Sequence, residues 1–177
     1  MVTIETERLV VRAPLEADRE RFIELFTDEA FMVFATDSLD ADSANSRFDA
    51  MVAFARSVPY AKQPILERAT GTIIGYTGVG TILIDGLDRL EWGWRLARDV
   101  RGQGYAVEAT TALLDFADTH HDGEMLCIIA SENTPSMRVA EKVGFRPWRH
   151  LVWPDGVPTD LLVRAIGAGG SPLLAPS

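Results

Sequence analysis

Two glycines separated by one residue, Gly102 and Gly104, lie where a predicted strand at residues 90–97 gives way to a helix. After Gly104, apolar residues recur at spacings of three and four through Ala117, as on the buried face of a helix. The first amides of a helix have no partner within it, and the helix dipole is positive there. Because glycines leave the backbone uncovered, this turn is suited to hold an anion such as a pyrophosphate. A Gly-x-Gly pair is a weak signal by itself, and an ordinary strand-turn-helix connection is an equal alternative.

A second polar stretch follows a predicted strand at residues 125–131. It begins at Asn133 and predicts a short helix, with Thr134 as the N-cap and Pro135 as the first helical residue. Gly144 lies where such a helix would stop. The chain therefore places a polar helix start directly after each of two predicted strands.

Together the two stretches resemble the GNAT superfamily of acyl-CoA-dependent N-acyltransferases. The first contains the motif (Gln/Arg)-x-x-Gly-x-(Gly/Ala) of that superfamily as Arg101-x-x-Gly104-x-Ala106. The second reads Asn133-x-x-Ser136-x-x-x-x-x-Lys142-x-Gly144-Phe145, which is similar to the branch that holds the ribosomal-protein alanine acetyltransferases. The opening Thr6-Glu-Arg-Leu-Val-Val-Arg12 resembles the first strand of the same branch. The resemblance covers roughly residues 6–166.

This resemblance implies binding of acetyl-CoA and transfer of its acetyl group to an amine. The amides of the glycine turn would hold the pyrophosphate, and the free backbone at the end of the preceding strand would pair with the pantetheine arm. An amide near Leu96 would contact the oxyanion. The residues implied in cofactor binding are Trp94, Arg95, Leu96, Arg101, Gly102, Gln103, Gly104, Tyr105, Ala106, Asn133 and Arg138. For Asn133 an ordinary turn before a helix, and for Arg138 a solvated basic face, are equal alternatives.

The resemblance places the general base at Glu91, on the strand before the glycine turn. Strand alternation puts Glu91, Gly93 and Arg95 on one face and Trp92 on the other. A salt bridge from Glu91 to Arg89 or Arg95 is an equal alternative. His120, His121 and His150 are further candidates, although the first two lie at a predicted helix end.

The proton donor to the leaving thiolate departs from the commonest pattern of the superfamily. Many members carry a tyrosine seven residues after the motif asparagine, and here that position is Ala140. In the ribosomal-protein branch a serine is held to serve, which points to Ser136. The alternative is that Ser136 is an ordinary residue at a helix start and has no catalytic role.

Composition sets limits on partners and compartment. The chain has 177 residues, 47% of them hydrophobic, and a formal net charge of −9. The negative charge argues against nucleic acid and an anionic membrane as partners. It weakly favours a cationic substrate, but keeping the protein soluble is the stronger explanation of the charge. The single Cys127 excludes an internal disulfide, and no apolar run reaches the length of about 20 residues that a membrane span needs. We therefore expect a cytoplasmic protein. We also expect that it binds no metal, and it could form a homodimer.

The order of predicted elements indicates an α+β fold. We expect a GNAT-type mixed, largely antiparallel twisted sheet of six to seven strands with flanking helices. The strands are predicted at residues 8–13, 64–68, 72–84, 90–97, 125–131, 145–153 and 157–166, and the first two helices at 15–27 and 42–57. Residues 1–166 would form one domain and residues 167–177 a loose tail.

The sequence thus predicts an N-acetyltransferase that acts on a small-molecule amine or a protein N-terminus. Residues 31–39 and 59–63, with Trp92 and Trp153, are expected to shape the acceptor pocket. Two alternatives stay open. One is a GNAT protein that transfers a larger acyl group such as succinyl, and the other is a catalytically silent module that only binds acyl-CoA.

Overall fold

A computed structural model describes residues 2–34, 39–153 and 156–167. These residues form eight strands and five α-helices. The strands are β1 Thr3–Glu5, β2 Leu9–Arg12, β3 Gln63–Glu67, β4 Ile73–Ile84, β5 Leu87–Leu96, β6 Gly123–Ala130, β7 Arg146–Val152 and β8 Pro158–Ile166. The helices are α1 Arg19–Thr27, α2 Glu29–Met32, α3 Ala41–Ala55, α4 Tyr105–Asp118 and α5 Thr134–Lys142. Short 3₁₀ turns precede α1 at Glu16–Asp18 and follow β5 at Arg98–Val100.

The strands form one sheet in the order β1-β2-β3-β4-β5-β6-β8-β7. Pairing is antiparallel between β1, β2, β3 and β4 and between β6, β8 and β7, whereas β5 and β6 run parallel. This arrangement confirms the predicted mixed, largely antiparallel sheet. The structure has one strand more than the predicted six to seven, and this additional strand is β1. Its three residues are too few to show the alternation by which strands are recognised in a sequence.

The helices follow the predicted pattern, with local differences at their ends. The helix predicted at residues 15–27 is a 3₁₀ turn followed by α1, and the helix predicted at 42–57 is α3. Helix α2 has only four residues, which is less than two turns, so its sequence shows no helical periodicity. Asp28 and Asp40 cap α2 and α3 by accepting hydrogen bonds from the amides of Ala30 and Ser43.

The described chain divides into two compact units. The first unit consists of Met1–Gly78 and Trp94–Leu113, and the second of Val79–Gly93 and Leu114–Ser177. Since β4, β5 and α4 each contribute residues to both units, the division does not follow element boundaries. The single domain expected over residues 1–166 stays a prediction, and residues 168–177 of the expected tail lie outside the described residues.

An aromatic cluster forms the core of the first unit. Phe22, Phe26, Phe31, Phe48 and Tyr76 are all nearly or fully buried there. The ring centroids of Phe26 and Phe31 lie 6.4 Å apart, and both rings meet Tyr76 edge-on at 6.2 and 6.1 Å. This core fixes α1, α2 and α3 on β4.

Two glycines let β4 approach its neighbours closely in the first unit. A Cβ atom on Gly75 would lie 2.0 Å from the carbonyl oxygen of Arg95, and one on Gly78 would lie 2.3 Å from that of Ala61. Neither position has room for a side chain. Glycines inside strands often allow such a close approach of two backbones.

The second unit has a core of its own on one face of β6 and β8. Ile84, Leu126, Leu161 and Val163 are buried there, and Trp148 and Trp153 are among the half-buried residues that pack against them. Helix α4 is tied to β8 by Arg164, which donates to both carboxylate oxygens of Asp118 at 2.9 and 2.8 Å. No helix in the described ranges is both long and apolar enough to span a membrane.

Candidate cofactor and catalytic site

The turn between β5 and α4 exposes a row of backbone donors in the first unit. We call residues 101–104 the glycine loop; all of them are exposed. Gly102 and Gly104 have φ angles of 80° and 84°, in the left-handed region that favours glycine. Within the described part of the chain, the backbone amides from Gly102 to Val107 donate to no protein acceptor. The first amide of this stretch to do so is that of Glu108, at 3.0 Å from the Gly104 carbonyl.

The space above the loop is open. A Cβ atom on Gly102 would meet nothing within 4 Å, and one on Gly104 would meet only Arg8, at 3.5 Å. Unpaired amides, an open approach and the start of a long helix are the features of an anion site. The turn therefore has the backbone geometry that the predicted anion site requires.

The side chain of Arg101 is directed towards the protein rather than towards solvent. Its Nε donates to the Leu96 carbonyl at 3.0 Å, and a terminal nitrogen donates to the Ala30 carbonyl at 2.7 Å. Burial is the main cause that lowers the pKa of Arg101 below its ordinary value, and the charge of Arg95 adds to it. These contacts fix the loop to β5 and α2, while a phosphate contact of Arg101 stays a prediction.

The end of β5 is held by contacts with β4 and α2 within the first unit. The Ala97 amide donates to the Ile74 carbonyl at 2.8 Å, and Gly75 lies against the carbonyl of Arg95. The Arg95 side chain approaches the sulfur of Met32 to 2.9 Å. The segment from Trp94 to Leu96, predicted to face the pantetheine arm, is therefore held in place by its own unit.

Three residues that the sequence analysis did not assign to the site converge on the glycine loop. They are Thr6, Arg8 and Glu108. Burial acts to raise the pKa of Glu108, but hydrogen bonds from the Thr6 hydroxyl and from Arg8 outweigh it. The pKa therefore lies below its ordinary value, and the carboxylate is ionised at neutral pH. In the sequence, the opening motif Thr6–Arg12 was the feature that could have drawn attention to Thr6 and Arg8. Nothing in that motif indicated that these residues contact the glycine loop.

The second unit carries the predicted catalytic residues. Glu91 on β5 lies opposite Leu126 of β6 and is half-buried. Its Oε1 lies 3.0 Å from where a Cβ on Gly93 would be, so the carboxylate rests over the glycine on the same face of the strand. The predicted alternation is confirmed, since Trp92 points the other way and is fully buried. Trp92 is thus a core residue, and its part in shaping the acceptor pocket stays a prediction.

The start of α5 differs by one residue from the prediction. Asn133, not Thr134, is the N-cap, and its side-chain oxygen accepts from the Ser136 amide at 3.2 Å. From this position the side-chain oxygen of Asn133 reaches the amide of the third helical residue, which leaves Thr134 as the first residue of the helix. Capping uses the oxygen of Asn133 and leaves its NH₂ group for a pantetheine contact, which stays a prediction.

Ser136 and Arg138 occupy the first two turns of α5. Ser136 is half-buried and Arg138 is exposed. Ala140, at the position where many GNAT members have tyrosine, is completely buried.

The histidines divide as the sequence suggested. His120 lies in the turn two residues after α4, where its Nδ1 is 2.8 Å from the Phe116 carbonyl and its ring stacks on Phe116. His150 pairs with Asp160 across β7 and β8, with 3.0 Å between Nδ1 and Oδ1. No group of three or more His, Cys, Asp or Glu residues within residues 2–34, 39–153 and 156–167 is arranged to hold a metal ion.

Residues expected to line an acceptor pocket are partly buried. Phe31 belongs to the core of the first unit, and Tyr60 and Ala61 in residues 59–63 are buried. Val33 and Phe34 are about half exposed, at 50% and 47%. Residues 35–38 of the expected pocket lie outside the described residues.

Comparison with known proteins gives consistent matches. The sequence profile of the family described as Acetyltransferase (GNAT) domain matches residues 8–146. A GnaT-family acetyltransferase from Bordetella pertussis superimposes with a TM-score of 0.82 and 26% identity, covering 93% of this chain and 100% of that one. RimL, described as a ribosomal L7/L12 alpha-N-protein acetyltransferase in complex with coenzyme A, superimposes with a TM-score of 0.75 and 14% identity, covering 93% and 98%.

Among curated proteins, YkkB of Bacillus subtilis (strain 168) is 37% identical over 79 residues. The matched segment is 44% of this chain and 46% of YkkB, so it spans about half the length of that relative.

Proposed function

The chain belongs to the GNAT acetyltransferase family, and from this premise we propose that it transfers the acetyl group of acetyl-CoA directly to a primary amine in a ternary complex. The observation that carries the proposal is the row of amides from Gly102 to Val107, which have no acceptor among the described residues. Such donors, at the start of a fourteen-residue helix, suit the doubly charged pyrophosphate of CoA. The CoA bound to RimL supports the choice of co-substrate.

In the proposed binding mode, backbone amides of the glycine loop and of the first residues of α4 hold the pyrophosphate. They are the amides of Gly102, Gln103, Gly104, Tyr105 and Ala106. The backbone of Trp94, Arg95 and Leu96 pairs with the pantetheine arm, as a strand adds to a sheet edge. Asn133 donates its NH₂ group to the same arm, and Arg101 and Arg138 supply positive charge for the phosphates.

In the proposed reaction, Glu91 accepts the proton that the amine nitrogen loses as it attacks the thioester carbonyl. The amide near Leu96 stabilises the oxyanion of the tetrahedral intermediate. When that intermediate collapses, the C–S bond breaks and Ser136 donates a proton to the thiolate. The products are the acetylated amine and CoA.

We propose a cationic small molecule or a protein N-terminus as the acceptor. The net charge of −9 supports a cation over an anion, and RimL acts on a protein N-terminus. The exposed Phe34 and the half-buried Trp153 are candidates for contacts with the acceptor.

The first experiment is calorimetric titration of the protein with acetyl-CoA, CoA and succinyl-CoA, beside an assay of thiol release over a panel of amines. Binding of acetyl-CoA with amine-dependent thiol release is the expected result. Binding without turnover on any amine would favour the silent acyl-CoA module, and preferred turnover of succinyl-CoA would favour the larger acyl group.

The variant Gly104→Glu tests the pyrophosphate site. It places bulk and negative charge among the loop amides, so we expect acetyl-CoA binding to be lost. Gly86→Glu is the matched control, because Gly86 also has a left-handed φ, of 75°, and open space around it, but lies in the β4–β5 turn. Equal affinity of the two variants would contradict the assignment of the loop.

The variant Glu91→Gln tests the base. We expect the acidic limb of the pH-rate profile to disappear while acetyl-CoA binding is retained, since glutamine does not ionise. Gly93→Ala serves as a second probe, because its Cβ would press on the Glu91 carboxylate at 3.0 Å and shift it. If Glu91→Gln keeps the limb, another group is the base.

A further inference from the structure

The opening motif Thr6–Arg12 has no part in the proposed chemistry, yet its Arg8 reaches the glycine loop. Thr6 closes a turn between β1 and β2: its amide donates to the Leu9 carbonyl at 2.9 Å, and its hydroxyl accepts from the Leu9 amide at 3.0 Å. This turn presents Arg8 towards the start of α4. The motif thus connects the edge of the sheet to the loop that we propose to bind CoA.

Arg8 is held by several partners at once. Its Nε donates to Oε2 of Glu108 at 2.7 Å, and its backbone amide donates to Oε1 of the same carboxylate at 3.0 Å. The Thr6 hydroxyl donates to Glu108 as well, at 2.6 Å. The guanidinium also lies 4.5 Å from the centre of the Tyr105 ring. These contacts fix both the position and the plane of the guanidinium.

From that fixed position Arg8 donates to the carbonyl of Gln103 at 3.0 Å. In a trans peptide the carbonyl of one residue and the amide of the next point in opposite directions. Holding the Gln103 carbonyl towards Arg8 therefore aims the Gly104 amide away from Arg8. An anion that accepts a hydrogen bond from the Gly104 amide therefore lies on the side of the peptide opposite to Arg8. The guanidinium does not reach an anion at that position directly.

The loop needs such a restraint. Gly102 and Gly104 both have left-handed φ angles, and glycine has the widest choice of backbone conformations. The Gln103–Gly104 peptide lies between them and could rotate at little cost if nothing held its carbonyl.

We propose that Arg8 is a positioning residue that orients the Gln103–Gly104 peptide for the pyrophosphate of CoA, with Glu108 as the group that holds Arg8. This inference rests on the proposed function, because it concerns the same loop. It gives the opening motif a physical role in cofactor binding.

The test compares Arg8→Ala, Arg8→Lys and Glu108→Gln with the wild type by calorimetry with acetyl-CoA. We expect Arg8→Ala to raise the dissociation constant about tenfold, the effect of losing a charge-assisted hydrogen bond. In the acetyl-transfer assay, KM for acetyl-CoA rises by a similar factor while kcat changes by less than about twofold. The planar guanidinium of Arg8 donates to Glu108 and to the Gln103 carbonyl at the same time, and a lysine ammonium cannot reproduce that geometry. We therefore expect Arg8→Lys to bind acetyl-CoA as weakly as Arg8→Ala does.

Glu108→Gln separates positioning from direct phosphate binding. If Arg8 orients the loop, weakening its hold on Glu108 weakens acetyl-CoA binding. If Arg8 instead contacts phosphate, removal of the nearby negative charge strengthens binding, and Arg8→Lys regains much of the affinity; either result overturns the proposal. The matched control is Arg21→Ala, since Arg21 likewise joins one carboxylate, Glu24, and one carbonyl, Ile73, and is similarly exposed. It should leave the affinity unchanged.

Hydrogen exchange of the unliganded protein supplies a readout that does not depend on CoA. Amides of residues 101–106 should exchange faster in Arg8→Ala than in Arg21→Ala, with other segments unchanged. Unchanged exchange and affinity in Arg8→Ala overturn the inference. A wild type that binds no acyl-CoA refutes the proposed function instead, and the exchange result then still decides whether Arg8 orders the loop.

Discussion

Replacing Gly75 by alanine should disturb the point at which β4 supports the end of β5. The added Cβ would lie 2.0 Å from the carbonyl oxygen of Arg95 and 2.9 Å from the Cα of Leu96. Both are backbone atoms, which cannot rotate away as the end of a side chain can. The two strands would have to separate locally by about 1 Å, an overpacking that typically costs about 3 kcal/mol at the upper end of its range.

The matched control is Gly71→Ala. Gly71 has a left-handed φ of 70°, but the methyl carbon of an alanine there would meet nothing within 4 Å, so only backbone strain of about 1 kcal/mol is expected. For a chain of this size, about 3 kcal/mol lowers Tm by about 6–12 °C and about 1 kcal/mol by about 2–4 °C. Differential scanning calorimetry of both variants measures the difference.

The same variant has a functional consequence under the proposed mechanism. Since Arg95 and Leu96 are the residues that we propose to face the pantetheine arm, their displacement should weaken acetyl-CoA binding in Gly75→Ala and not in Gly71→Ala. Calorimetric titration of the folded variants at about 15 to 20 °C below Tm, a range chosen for nearly complete folding, tests this. The reasoning is refuted if Gly75→Ala melts together with Gly71→Ala and binds acetyl-CoA as the wild type does.

Three further predictions concern stability. Arg12→Met should lower the free energy of unfolding by about 3 kcal/mol. The variant leaves the buried carboxylate of Asp18 without the arginine that contacts both its oxygens at 2.7 Å. Urea unfolding measures the loss, and a loss below about 1 kcal/mol would contradict the prediction. Thr110→Val should cost about 1–2 kcal/mol by removing the buried hydroxyl that lies 2.9 Å from that of Thr77, whereas Thr110→Ser should retain most of the stability in the same assay. Burial acts to raise the pKa of Asp118, but the hydrogen bonds and charge of Arg164 outweigh it and lower the pKa. The stability that this pair contributes is therefore complete above the unfolded pKa of about 4 and is lost as pH falls through the folded value. The urea midpoints of wild type and Asp118→Asn should differ at about pH 7, and the difference should shrink as the pH is lowered below about 4. A constant difference would exclude the linkage.

Local patterns in the sequence determined most elements of the fold. The helix after Gly104 was predictable because its apolar spacing and the preceding glycines act over only a few residues. The alternation along β5 likewise predicted that Glu91 and Gly93 share a face while Trp92 is on the other. Such features follow from backbone geometry, which repeats at short range whatever the rest of the chain does.

Tertiary structure decided which of these residues meet. Arg8 and Glu108 are 100 positions apart, and no short-range pattern could join them. The core position of Trp92 was equally hidden, because alternation assigns a residue to a face without telling what covers that face. The motif predicted Arg101 as a phosphate ligand but could not show that two of its donors bond the carbonyls of Leu96 and Ala30. Sequence thus determined the local conformation of the candidate site, and long-range packing determined which side chains hold it in shape.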